Sequence, residues 1–403
     1  MIPFYIPHID ERMQTYVQNC LQSGWLNSGP WVQRFEDALL AYCKADAVMC
    51  TSSNTAGLEL CLRWWGIGPG DEVIVPAYSY CVSAHVVINL GATPIFWDCG
   101  EDLLPDPALL EGLLSPATKA VIAVDLAGLP AAYPAFFETL STWVANGKFQ
   151  PGNSIQTQLA RPLLIADAAH SIGAVSFGIS AGCMADLSVF SFHSAKNITT
   201  GDGGAIAFHL PSTMDTSAAL AWFRMASLHG KSKMAEAGNA SGNAGYDVLY
   251  PGIKANLTDF QAAMGLAQLE RYASEILPIR KDIAEYYHYA FSDHPFLRIP
   301  YPPVRGIQPA YHIYPLLIIG ITEIQRDAIL AEAQSAGIGL SVHYKPVPAF
   351  TMYRNLGYKP EDYPVSLALS ACEITLPLYQ GLSRKDQEQV IEFIFSRCDT
   401  LFS

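Results

Sequence analysis

Nothing in the sequence approaches the roughly 20 uncharged apolar residues needed to cross a bilayer. Residues 316–321 are apolar but short, and read as a buried strand. The N-terminus, MIPFYIPHIDERM, lacks a basic region leading into a long apolar core, so no signal peptide is expected. Positive charge is scarce: 24 Lys+Arg stand against 37 Asp+Glu, a formal net charge of -13. So acidic a surface suits neither nucleic acid nor anionic membrane, although a few local donors suffice for a phosphorylated ligand. The nine cysteines are scattered and never spaced C-x-x-C, which argues against a zinc site or a disulfide framework. They read as small buried hydrophobes in a reducing, cytoplasmic setting. There is also no G-x-G-x-x-G after an early strand and no G-x-x-x-x-G-K-[ST], so a dinucleotide or P-loop assignment lacks its main support.

What is present points to a folded α/β protein. Half of the 403 residues are hydrophobic and 15% are charged, enough for a large domain and a smaller one. Short β-branched runs at 73–76, 95–97, 120–124, 163–166 and 187–190 read as buried strands, with helix-like stretches at 55–65 and 81–90. Strand–helix alternation implies a mostly parallel sheet covered on both faces, with ligands at the carboxyl ends of its strands. Residues 256–294 read as one or two long helices interrupted near Pro278. Strands are expected at 314–319 and 341–344, with a helix at 323–336 between them. Polar segments at 146–161 and 238–245 read as loops.

Three local patterns carry chemistry. The apolar run LLIAD ends in Asp167, with His170 three residues later. A carboxylate at the end of a buried strand serves either as a helix cap or as the partner of a cation. The run SVFSFHSAKNITTGDGG carries Lys196 into a Gly-rich turn. That lysine is either a solvated turn residue or a partly desolvated amine, nucleophilic toward carbonyls. Third, VMCTSSNTAG turns from a strand into a helix through Ser53, Asn54 and Thr55, which suits either an ordinary cap or an anion cradle. Together they offer a phosphate site, an acid for a pyridinium and an amine for an aldehyde. Pyridoxal phosphate needs these three, because it is an electron sink only while its ring nitrogen stays protonated.

The chain resembles the DegT/DnrJ/EryC1/StrS sugar aminotransferases over nearly its whole length. The motifs are SGWLNSGPWVQRFE, GPGDEVIVPAYSY, GATPIFWD, ADAAHSIGA, FSFHSAKNITTGDGG, GIKANLTDFQAAMGLAQLER and VHYKP. The resemblance implies fold type I: a large domain (1–265) with a mostly parallel seven-stranded sheet between helices, and a smaller C-terminal α+β domain (266–403). It implies that Lys196 carries pyridoxal 5'-phosphate as a Schiff base and then moves the proton of the 1,3-shift. Asp167 would hold the ring nitrogen, His170 the ring oxygen, and Tyr80 would stack on the ring. Asn54, Thr55 and Ser191 would bind the phosphate, joined by Lys254 and Asn256 from the partner chain of a homodimer. Trp25, Gly29, His343 and Tyr344 would line the pocket for a nucleotide-linked keto-sugar, with L-glutamate as amino donor. The sequence departs from the family at three points. Asn54 replaces a common Gly, where its tolerance of left-handed backbone would preserve the turn. Asp202 replaces Glu, and Pro348 replaces a histidine. The segment 146–161 is longer than usual and is expected to cover or extend the site. A family dehydratase would carry His in place of Lys196; a non-catalytic sensor could keep the whole set.

Overall fold

The computed structural model describes residues 1–232, 246–301 and 304–403. The loop expected at 238–245 lies outside the described residues. The large sheet has seven strands: β1 (Ala47–Thr51), β2 (Glu72–Pro76), β3 (Thr93–Trp97), β4 (Thr118–Val124), β5 (Leu163–Asp167), β6 (Leu187–Ser191) and β7 (Gly204–Phe208). Their order is β1-β7-β6-β5-β4-β2-β3. The pairs β2–β3, β2–β4, β4–β5 and β5–β6 are parallel. β7 is antiparallel to both neighbours, so it alone runs backward. The central strands are buried on both faces, which is why they read as continuous apolar runs rather than as alternating ones.

Helices cover both faces and split the core into two clusters. One is built around Phe35, Ile74, Val121 and Phe190, the other around Leu58, Val75, Ile122 and Val189. The helix Asn54–Trp65 follows β1, with the Ser53 side chain capping the amide of Ala56 at 3.1 Å. Gly204 is demanded by close approach. A Cβ there would lie 2.6 Å from the Ser53 carbonyl carbon and 2.7 Å from the Asn54 nitrogen, so any side chain would push the turn off β7.

The C-terminal third forms a three-stranded antiparallel sheet of β8 (Leu297–Arg298), β9 (Tyr314–Ile318) and β10 (Glu373–Leu376), with β9 central. The extreme N-terminus crosses to this unit. Ile2 exchanges backbone hydrogen bonds with Gly337 and Gly339, both at 2.7 Å. Among the described residues no helix is long and apolar enough to cross a membrane.

One expectation is met and two need correction. The long helical stretch is Asp259–Leu269 and Leu277–Phe291, interrupted near Pro278 as expected, by a π-turn at Tyr272–Ile276. Pro278 sits in the first turn of the second helix, where its missing N–H has no intrahelical partner to lose. Residues 341–344 make no strand, only a bridge from Ser341 to Thr375. The segment 146–161 contains a helix, Ser154–Leu159, capped by Asn153. None of its residues lines the cavity described below. Asn153 and Gln156 donate to the Trp65 carbonyl at 3.0 and 2.8 Å, and Lys119 donates to the Gln150 carbonyl at 2.6 Å.

Candidate active site

The carboxyl ends of β5 and β6 open into a cavity of about 490 Å³. Asn54, Thr55, Tyr80, Asp167, His170, Ser191, Lys196, His343 and Tyr344 all line it. Four other expected residues do not. Trp25 is 41% exposed, and the Gly29 amide donates to Asp259 Oδ1 at 2.8 Å. Lys254 is exposed and bridges Leu228. Asn256 Nδ2 donates to Asn27 Oδ1 at 2.9 Å and Ser28 Oγ at 2.7 Å, while its own Oδ1 is buried without a partner. These four lie outside the cavity of a single chain.

Asp167 is the last residue of β5 and is buried. Oδ1 accepts from Asn54 Nδ2 at 3.0 Å and the Ala169 amide at 3.3 Å; Oδ2 accepts from Ser83 Oγ at 3.2 Å. Burial raises its pKa, and these donors together with the Lys196 charge pull it partly back. Asn54 does not use left-handed backbone. It is the first residue of its helix, and its side chain is committed to Asp167 and to the Val189 carbonyl at 2.8 Å. What Asn54 and Thr55 offer an anion is therefore backbone N–H at a helix start.

Lys196 follows β6 by five residues, its amide held by the His193 carbonyl at 2.9 Å. Burial lowers its pKa from 10.5 to about 8, against the opposing pull of Asp167. A lysine so placed is a usable nucleophile near neutral pH. In protein free of any aldehyde ligand, the rate of imine formation with a small aldehyde, trapped by borohydride, should rise with pH and level off above about 8. A rate still climbing toward the ordinary lysine range would contradict this environment.

Histidine protonation in the wall is fixed by neighbours. His170 Nδ1 accepts the Ala127 amide at 3.2 Å, so the neutral ring carries its hydrogen on Nε2, facing the Tyr344 hydroxyl at 3.3 Å. His312 was not anticipated. Asn197 Nδ2 donates to Tyr272 Oη at 2.9 Å and the Ala310 carbonyl at 2.8 Å, leaving its Oδ1 to accept from His312 Nδ1 at 2.8 Å. His312 therefore presents a bare Nε2. The two rings lie 4.3 Å apart. Burial, reinforced by nearby cationic groups, holds both pKa values well below the usual histidine range, so both rings are neutral. Phe4 and Tyr5 also line the cavity and were missed, although the aromatic pair in MIPFYIP was visible. Tyr5 donates to the Ser194 carbonyl, two residues from Lys196. Among the described residues no His, Cys, Asp or Glu group is arranged to hold a metal.

Known proteins share this architecture. The family model for the DegT/DnrJ/EryC1/StrS aminotransferases matches residues 7–141 and 157–395, skipping most of the polar segment near 150. The spore coat polysaccharide biosynthesis protein SpsC of Bacillus subtilis is 34% identical, over 98% of this chain and 96% of its own. Spr1654 of Streptococcus pneumoniae, described as a sugar aminotransferase, is 35% identical over the full length of both chains. Its PLP form superposes with a TM-score of 0.94 and its PMP form with 0.95. The aminotransferase TlmJ of Streptoalloteichus hindustanus, 27% identical over all of both chains, gives 0.85.

Proposed function

Because the chain belongs to the DegT/DnrJ/EryC1/StrS aminotransferase family, we propose that it uses pyridoxal 5'-phosphate to carry an amino group from L-glutamate to a nucleotide-linked keto-sugar. The setting would be cytoplasmic amino-sugar or polysaccharide synthesis. The observation that carries this is the meeting of the Lys196 amine, the buried Asp167 carboxylate and the free amides of Asn54 and Thr55 in one cavity. When bound, pyridoxal phosphate supplies the electron sink for bond breaking at the amino-bearing carbon.

The chain's own groups have separate tasks. The Asn54 and Thr55 amides with Ser191 would hold the phosphate. The Asp167 carboxylate would hold the ring nitrogen protonated, and His170 Nε2–H would donate to the ring oxygen. Tyr80, 59% exposed and with its ring centroid 6.1 Å from that of Tyr344, is free to cover the ring face. Lys196 would anchor the cofactor and would be the amine that moves a proton. Lys254 and Asn256 act in the partner's cavity across a homodimer. Lys254 suits that role because it is exposed and lies outside the cavity of its own chain.

Transfer in two halves predicts ping-pong kinetics. Initial rates against amino donor and keto-sugar nucleotide should give parallel double-reciprocal lines; intersecting lines would reject the scheme. L-glutamate alone should convert the visible spectrum of the cofactor-loaded protein to that of the pyridoxamine form. An unchanged spectrum would point to another donor or to a non-catalytic sensor.

A further inference from the structure

Behind the cavity wall lies a chain of polar groups that the transamination scheme leaves unused. β10 alternates, so Glu373 and Thr375 share a face while Ile374 and Leu376 take the other. Both polar residues are fully buried. Thr375 Oγ1 lies 2.5 Å from Glu373 Oε1 and 2.9 Å from His343 Nδ1. The other carboxyl oxygen, Oε2, accepts the His343 backbone amide at 2.8 Å. His343 lines the cavity, its ring stacked on Phe4 at 5.6 Å. With Nδ1 committed to Thr375, Nε2 is the nitrogen left for a ligand.

A hydroxyl has one hydrogen to donate, and that fixes the rest. If Glu373 is ionised, Thr375 donates to it. The Thr375 oxygen then accepts from Nδ1–H, and Nε2 is a bare lone pair. If Glu373 is protonated, its hydrogen sits on Oε1, because Oε2 already accepts. Glu373 then donates to Thr375, Thr375 donates to Nδ1, and Nε2 carries the hydrogen. Ionisation removes one proton in all. Glu373 passes its hydrogen to Thr375, Thr375 passes its own to Nδ1, and Nε2 gives one up to the cavity. The ring is neutral in both states.

We propose that Glu373, Thr375 and His343 form a proton relay that switches His343 Nε2 between donor and acceptor, and so selects which oxygen of a sugar ligand this wall accepts. The donor state suits a carbonyl or hydroxyl lone pair; the acceptor state suits a hydroxyl hydrogen. The sugar part rests on the reading of the cavity given above. Glu373 is a positioning residue, acting only through His343.

Burial places the switch near pH 8. Burial pushes Glu373 up to about 8, while Thr375, the His343 amide and Arg326 pull it back. The other titratable groups facing it are Tyr78, Cys372 and Tyr344, all held protonated by burial and by the carboxylate itself. Around His343 stand Lys196, His170 and His312. Burial and the Lys196 charge hold His343 down to about 4, so its ring does not take up charge over the range in which Glu373 titrates.

The test is nitrogen NMR of the cofactor-loaded protein labelled in its histidine rings, with the His343 signals assigned by their loss in His343→Asn. The wild type should show hydrogen on Nε2 below pH about 8 and on Nδ1 above it. Glu373→Gln, whose amide donates to Thr375 while its oxygen accepts the His343 amide, should hold the hydrogen on Nε2 throughout. Thr375→Val should abolish the switch. One tautomer across the titration of the wild type, which requires no variant to fold, overturns the relay. So does a switch that survives in Glu373→Gln. For the sugar part, KM for a keto-sugar nucleotide should change about fivefold across the same pH range in the wild type and stay flat in Glu373→Gln. A tautomer switch with a pH-independent KM overturns the selection role. The NMR result stands or falls separately from transamination, which the glutamate spectrum tests.

Discussion

Lys196→Ala should fold, dimerise and hold the cofactor without a covalent bond, yet lose both half-reactions. The loss in kcat should be at least about 1,000-fold, because the variant removes both the anchoring amine and the group that moves the proton. The surroundings of Lys196 explain why the fold survives. Its folded pKa of about 8 lies below the ordinary 10.5, so the folded chain binds this proton less tightly than the unfolded one. The resulting penalty is fully present below pH about 8 and disappears as the pH rises past 10.5, where the amine is neutral in both states. Removing the amine lifts that penalty at pH 7 and offsets the loss of a countercharge for Asp167. By calorimetry the cofactor-free variant should melt no lower than the cofactor-free wild type. Substantial turnover in the variant would remove the residue on which the proposed function rests. A collapse of the fold would instead give Lys196 a structural role.

The large sheet was legible because parallel strands buried on both faces announce themselves as apolar runs. All five runs first singled out fall within strands β2 to β6. Asp167 and Lys196 were legible for the same reason, as polar residues that break such runs or follow closely on them. His312 was not legible. Its place in the site depends on Asn197, 115 residues away, and on Arg280, which donates to the carbonyls of Tyr311, His312 and Leu378. No local pattern encodes a meeting of that kind. Asn54 shows a different limit. The resemblance implies that Asn54 stands where Gly is common, but backbone tolerance is the wrong explanation. The side chain is a buried donor to Asp167, visible only once β1 and β5 share a sheet. The 146–161 segment misled because Gly, Pro and Asn suggested a loop, while Asn153 was capping a short helix onto Trp65.

Asp167→Asn separates the electrostatic role of the carboxylate from its shape. The amide keeps the volume, and its Oδ1 can still accept from Asn54 and Ala169, where the carboxylate contacts are 3.0 and 3.3 Å. Its NH2 then faces Ser83, whose hydroxyl can turn to accept. What disappears is the negative charge. An amide cannot hold a ring nitrogen in its protonated form, so kcat/KM should fall about 1,000-fold, or roughly 4 kcal/mol of transition-state stabilisation. A second effect is independent of turnover. Asp167 is the group that raises the Lys196 pKa against burial, so the aldehyde-reactivity midpoint of the cofactor-free variant should move below the wild-type value of about 8. An unmoved midpoint would mean that the two groups are not coupled. Stability should go the other way. Burial raises the Asp167 pKa, so the ionised carboxylate penalises the fold at pH values above that pKa. The uncharged amide carries no such penalty, and at pH 7 the cofactor-free variant should melt at or above the wild type. Activity lost while stability is kept marks a charge that the fold tolerates for its chemistry, as buried active-site groups commonly are.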